Sequence, residues 1–115
     1  MQRLIKITSL VSVSLLLFLV SCEEDNETTP KENDTVTIDM TNNEFDPAEK
    51  TIEVGTTVKW VNQDDYIHNV TSDDDIFVSG DIEADETYSY TFENTGTFPY
   101  VCTIHDGMDG TIIVE

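Results

Sequence analysis

The chain has 115 residues, a length typical of one small domain. It carries 24 acidic residues against 5 basic ones, which gives a formal net charge of −19. This charge excludes a nucleic-acid-binding protein, because binding to phosphates requires a basic surface. An acidic surface is suited to a basic protein partner, whose opposite field speeds encounter, or it serves only to keep the protein soluble. We expect no disulfide between the two cysteines, since each has a local explanation of its own.

The first 21 residues have the pattern of a signal peptide. Arg3 and Lys6 supply a positive start, and an apolar run diluted by hydroxyl residues follows from Ile7 to Val20. This run is shorter than the ~20 strongly apolar residues that span a bilayer, so a retained transmembrane anchor is disfavoured.

The end of this segment, Leu19-Val20-Ser21-Cys22, resembles the bacterial lipobox, in which the cysteine becomes the lipidated first residue of the mature protein. The resemblance implies a lipoprotein signal peptide over residues 1–21 and a lipid on Cys22. It also implies attachment to a membrane of the bacterial cell envelope, facing the periplasm or the cell surface. The alternative is an ordinary signal peptide with an incidental cysteine. Residues 22–34 are polar and acidic, so we expect them to form a flexible tether.

Residues 35–115 form the predicted folded domain, and short segments of alternating apolar and polar residues predict strands throughout it. The strand at 57–62 places Val58 and Trp60 on one face, so Trp60 is expected in the core. The predicted strands span residues 36–40, 51–54, 57–62, 66–71, 76–78, 87–92, 97–102 and 110–114. Because no stretch has a helical period, the predicted fold class is all-β, a sandwich or a barrel.

The last loop of the domain carries Cys102, His105 and Met108 in a Cys-x-x-His-x-x-Met spacing. A cysteine with two histidines and a distant methionine describes an electron-transfer copper site. His68 is the only other histidine, so it must fold back to supply the second imidazole. Taken singly, each residue is explained by core packing or an ordinary hydrogen bond. Zinc is a further alternative, although its structural sites favour several thiolates.

Residues 45–114 resemble the cupredoxins, in particular the plastocyanin, amicyanin and pseudoazurin group. The resemblance rests on motifs that fall in the family order: Phe45-x-Pro47, Ile52-x-Val54-x-x-x-Val58-x-Trp60-x-Asn62, His68-Asn69 and Cys102-x-x-His105-x-x-Met108. It implies a Greek-key β-sandwich with one mononuclear type 1 copper. It also implies that His68, Cys102 and His105 are equatorial ligands and that Met108 is the axial one. Asn69 matches the family position that steadies the cysteine ligand by hydrogen bonding.

In this family the C-terminal histidine ligand lies near the surface, in an apolar patch that serves as the electron port. Here Ile67, Ile104 and Met108 are expected to supply that patch, and Asp106 is expected to interrupt it. Ile67 and Ile104 stand where plastocyanin-like proteins often have proline, and Asp106 stands where amicyanin-like loops have proline.

The function predicted from these features is a membrane-tethered, one-electron carrier that works as a monomer. Its redox partner would be a basic c-type cytochrome or an oxidase. The alternative is a periplasmic copper delivery or storage protein, but such proteins usually need exposed Met/His-rich tracts, and this chain has only 3 Met and 2 His. An enzyme is not expected, because the copper enzymes of the family need further histidines. A metal-free adhesion domain is the remaining alternative.

Overall fold

The computed structural model describes residues 34–115. The predicted signal peptide, Cys22 and residues 23–33 of the predicted tether lie outside the described residues. Within residues 34–115 no helix has the length and apolar character needed to cross a membrane. This part of the chain forms eight strands: β1 (Thr35–Thr41), β2 (Glu44–Asp46), β3 (Glu49–Ile52), β4 (Thr57–Asn62), β5 (Thr71–Ser72), β6 (Thr87–Thr91), β7 (Gly96–Val101) and β8 (Asp109–Val114).

The strands form two mixed four-stranded sheets. The first has the order β2-β1-β4-β6 and the second the order β3-β8-β7-β5. The β1–β4 and β3–β8 pairs are parallel, and the other pairs are antiparallel. Because the chain passes repeatedly from one sheet to the other, most strands pair with partners distant in sequence. The prediction of an all-β, Greek-key sandwich is confirmed.

The core lies between the sheets and contains side chains from both. In β4, Val58 and Trp60 are fully buried, as their alternation predicted. The Trp60 ring meets the ring of Tyr100 from β7 edge to face, with centroids 5.4 Å apart. This geometry is favourable for aromatic pairs and joins the first sheet to the second.

Several predicted strand boundaries are wrong. His68 does not lie in a strand: it forms only an isolated backbone bridge with Ile82, and β5 begins at Thr71. Residues 76–78 likewise form no strand, and Val78 makes an isolated bridge with Thr71. Alternation over a few residues does not distinguish a strand from an extended loop, because pairing with a distant segment decides between them.

Two boundaries near the start of the domain also differ. The strand predicted at 51–54 is β3, which covers Glu49–Ile52 and ends before the exposed Val54. The short strand β2 was not predicted; it pairs with β1 and buries Phe45.

The β7–β8 hairpin presents the predicted ligand loop at one end of the sandwich. Cys102 directly follows β7, and Met108 directly precedes β8. Tyr100 and Gly110 are paired across the hairpin, and a Cβ atom at position 110 would lie 2.5 Å from the Tyr100 hydroxyl. A glycine at position 110 is therefore required for the large Tyr100 ring to pack next to the loop.

Candidate metal centre

Three of the predicted ligands meet at the end of the sandwich. The Cys102 Sγ lies 3.6 Å from Nδ1 of His105 and 3.9 Å from Nδ1 of His68. The three potential ligand atoms all lie within 4.8 Å of one another. The fold therefore brings His68 to the loop that carries the other two, although it lies more than thirty residues earlier in the chain.

The loop from Cys102 to Met108 is closed by backbone hydrogen bonds. The Cys102 N–H donates to the Met108 carbonyl at 2.9 Å, and the Met108 N–H donates to the His105 carbonyl at 3.4 Å. Gly107 has a φ of 80°, a conformation that glycine adopts without steric strain. This tight turn holds His105 next to the Cys102 sulfur.

Met108 belongs to the hydrophobic core together with Cys102 and is only 1% exposed. The expectation that it contributes to a surface apolar patch is therefore wrong. Its position directly before β8 draws its side chain into the sandwich instead. The two isoleucines of the predicted patch are exposed, Ile67 by 37% and Ile104 by 48%.

Asn69 connects the His68 segment to the ligand loop. Its backbone N–H points to the Cys102 Sγ at 3.4 Å. Its side-chain amide donates to the Thr103 Oγ1 at 2.8 Å, and its Oδ1 accepts a bond from the Thr103 backbone N–H at 3.1 Å. These bonds fix the start of the ligand loop, and the N–H aimed at the sulfur helps to orient the Cys102 side chain as a ligand.

Sequence reasoning missed Asp64. Its Oδ2 lies 2.8 Å from Nε2 of His68, and the His68 side chain is fully buried. When Nε2 carries the ring proton, it donates a hydrogen bond to this carboxylate. Nδ1 then has no proton, and its lone pair faces the Cys102 sulfur. The only sequence signal was an acidic residue four positions before the histidine.

Asp64 is itself held by the β1–β2 turn. Its Oδ1 accepts the backbone N–H of Asn42 at 2.9 Å, and its Oδ2 accepts that of Asn43 at 3.3 Å. Both asparagines have positive φ angles, of 57° and 62°. Burial raises the pKa of Asp64, but the hydrogen bonds from Asn42, His68 and Asn43 outweigh it and hold the pKa below its usual value. The carboxylate therefore remains ionised beside His68 at neutral pH.

The donor set fits copper. One thiolate, two imidazoles and a thioether combine soft and borderline ligands, which is the combination that type 1 copper sites use. Structural zinc sites favour more thiolates, and Cys102 is the only cysteine among residues 34–115. His68, Cys102, His105 and Met108 thus have the arrangement of a type 1 copper site.

The sequence family described as "Cupredoxin-like domain" matches residues 10–114. The chain belongs to the cupredoxins. It is 39% identical to a plastocyanin of Scenedesmus fuscus over 62% of this chain and 86% of that one. It is 31% identical to an amicyanin of Paracoccus denitrificans over 70% of this chain, and it spans only 65% of that relative.

Solved structures of other cupredoxin domains share this fold. A reduced Cu(I) form of an amicyanin mutant superposes with a TM-score of 0.67, 29% identity, and coverage of 70% of this chain and 82% of that one. A copper-containing nitrite reductase from Thermus scotoductus superposes with a TM-score of 0.66 and 34% identity over 70% of this chain. This cupredoxin spans only 22% of that enzyme.

Replacing Asp64 by Asn should weaken copper binding to this cupredoxin. The variant loses the carboxylate that holds His68 Nε2, and such outer-shell changes typically cost about 10- to 100-fold in metal affinity. The measurement is a competition titration with a chelator of known Cu(II) affinity.

Asp65→Asn is the matched control, because it removes the same charge from the neighbouring, exposed position. Its copper affinity should stay close to that of the wild type. An equal loss of copper affinity in the two variants would show that the affinity depends on the negative charge in this region and not on the contact between Asp64 and His68.

Proposed function

We propose that this protein is a type 1 copper electron carrier. In this proposal His68, Cys102 and His105 are the equatorial ligands and Met108 is the axial ligand. The observation that carries the proposal is the convergence of one thiol and two imidazoles within 4.8 Å from two remote segments of the chain. When copper is bound it supplies the one-electron chemistry, and the chain supplies a fixed set of donors.

The way the donors are held favours electron transfer. Asp64 orients the His68 ring, Asn69 donates toward the Cys102 sulfur, and the ligand loop is closed on itself. Cu(I) and Cu(II) prefer different geometries, so ligands that keep one arrangement reduce the rearrangement that accompanies each transfer.

The alternative functions are less well supported. Copper delivery needs ligands that exchange readily, whereas His68, Cys102 and Met108 are all buried. The copper-containing nitrite reductase is an enzyme of which this chain resembles only a small part. Both histidines of this chain belong to the one site, so none is left to bind a second copper ion. We therefore propose a carrier and not an enzyme.

The partner-binding face in this proposal surrounds His105. Ile67 and Ile104 expose apolar surface on the segments that carry the two histidines, and Asp65 and Asp106 add exposed negative charge. Such a face suits a basic redox protein, such as a c-type cytochrome or an oxidase, which would dock on a monomer of this protein.

We propose further that the chain is a lipoprotein. Arg3, Lys6 and the following apolar run support export, and the sequence around Cys22 supports lipidation. The lipid would hold the protein to a membrane of the bacterial envelope, with the domain in the periplasm or at the cell surface and residues 22–34 as the tether.

Adding Cu(II) to the purified metal-free protein should produce an intense visible absorption band, blue or green, from thiolate-to-copper charge transfer. Cys102→Ser should abolish this band, because the sulfur ligand is lost, whereas Cys22→Ser should retain it as the matched cysteine control. A wild-type protein that binds Cu(II) without the band would refute the type 1 assignment.

Electron transfer to a basic c-type cytochrome should slow steeply as salt is added. Opposite charges steer the encounter, and raising the salt from about 10 mM to about 500 mM shortens the screening length severalfold. Stopped-flow measurement should show the bimolecular rate constant falling at least about tenfold. A rate constant that does not respond to salt would contradict a basic partner.

Replacing Cys22 by Ala should move the full-length protein out of the membrane fraction of a bacterial host. The variant cannot carry a thioether-linked lipid, and the lipid is the proposed attachment. Cell fractionation with immunoblotting measures the change, with Cys102→Ala as the control that should remain in the membrane fraction. Equal membrane association of the two variants would rule out the lipid anchor.

A further inference from the structure

The two histidines of the site are restrained in different ways. His68 is fully buried and its Nε2 contacts Asp64 at 2.8 Å. His105 is half-buried and lies on a turn whose neighbouring residues, Ile104 and Asp106, are exposed. The ring of His105 contacts the Cys102 sulfur and the rings of two residues, His68 and Tyr66.

Tyr66 contacts both imidazoles. Its ring centroid lies 5.3 Å from that of His68 and 5.7 Å from that of His105. The two imidazole centroids are themselves 4.9 Å apart, so the three rings form a compact triangle. These separations are typical of favourable aromatic pairs.

The Tyr66 ring keeps this position although it is 45% exposed. The Tyr66 carbonyl accepts a hydrogen bond at 2.8 Å from the side chain of Asn62, which is fully buried. The same Asn62 amide donates to the Ile82 carbonyl at 2.9 Å. The backbone at Tyr66 is thus tied to the interior, and the Tyr66 ring lies against the rings of the two histidines.

We propose that Tyr66 is a positioning residue that holds the His105 ring against the metal and slows the release of copper. A histidine ligand leaves a metal by rotating about its side-chain torsions, and the Tyr66 ring, with its centroid 5.7 Å from that of His105, would restrict this rotation on one side. His68 has no need of this restraint, because Asp64 already holds it. The inference rests on the proposed copper site.

The test measures the rate at which a Cu(I)-specific chelator removes copper from the reduced protein. Tyr66→Leu removes the ring and keeps an apolar side chain, and release should become about 2- to 10-fold faster, the range expected for one aromatic contact. Tyr66→Phe keeps the ring and loses only the hydroxyl, which interacts with the Asp64 carboxylate, so its release should stay closer to the wild-type rate than that of Tyr66→Leu. Val54→Ala is the control for loss of an exposed aliphatic side chain, since Val54 is 46% exposed and lies outside the site, and its rate should be unchanged.

A second measurement uses the metal-free protein, so that it also gives a result if the proposed copper function fails. NMR relaxation of the His105 ring should show increased motion in Tyr66→Leu but not in Tyr66→Phe or Val54→Ala. The metal-free variants should have similar midpoint temperatures of thermal unfolding. This result would show that the change at His105 does not come from a general loss of stability. Equal ring motion in wild type and Tyr66→Leu, or equal release rates in Tyr66→Leu and Val54→Ala, would overturn the proposal.

Discussion

The pairing of β5 with β7 is the interaction on which the metal centre depends. Strand β5 contains only Thr71 and Ser72, which pair with Val101 and Tyr100 of β7. This short contact places the preceding residues, His68 and Asn69, beside the following residue, Cys102. The two halves of the donor set come from segments far apart in the chain, and this pairing brings those segments side by side. The hydrogen bonds between Asn69 and Thr103 also join the His68 segment to the first residues of the ligand loop.

A network of polar side chains surrounds this contact at the end of the sandwich. The Asp64 carboxylate contacts His68 and accepts hydrogen bonds from two backbone N–H groups of the β1–β2 turn, which stabilise its charge. A buried charge or imidazole is tolerated only when such partners are present. The network therefore does two things: it makes burial of His68 possible, and it decides which ring nitrogen faces the sulfur.

The aromatic core gives this network a rigid base. Tyr100 is fully buried, packs against Trp60, and lies two residues before Cys102. Burial raises the pKa of Tyr100 to about 12, so the phenol stays neutral beside the site. Large rings in a close-packed interior leave little room for the end of β7 to shift. The position of Cys102 is thus set by the core, while the position of His105 also depends on the turn and on surface contacts.

The sequence by itself determined the all-β class, the burial of Trp60 and the identity of the four candidate ligands. These features depend on residue type and on spacing along the chain, and both are local properties that can be read directly. Only the tertiary structure decided that His68 lies in a loop and not in a strand, and that Met108 is internal and not part of the surface patch. It also decided that Asp64 and Tyr66 lie in contact with the imidazoles. These contacts depend on which distant segments pair and on the angles at which turns leave the sheets, and short patterns of apolar and polar residues do not encode either one.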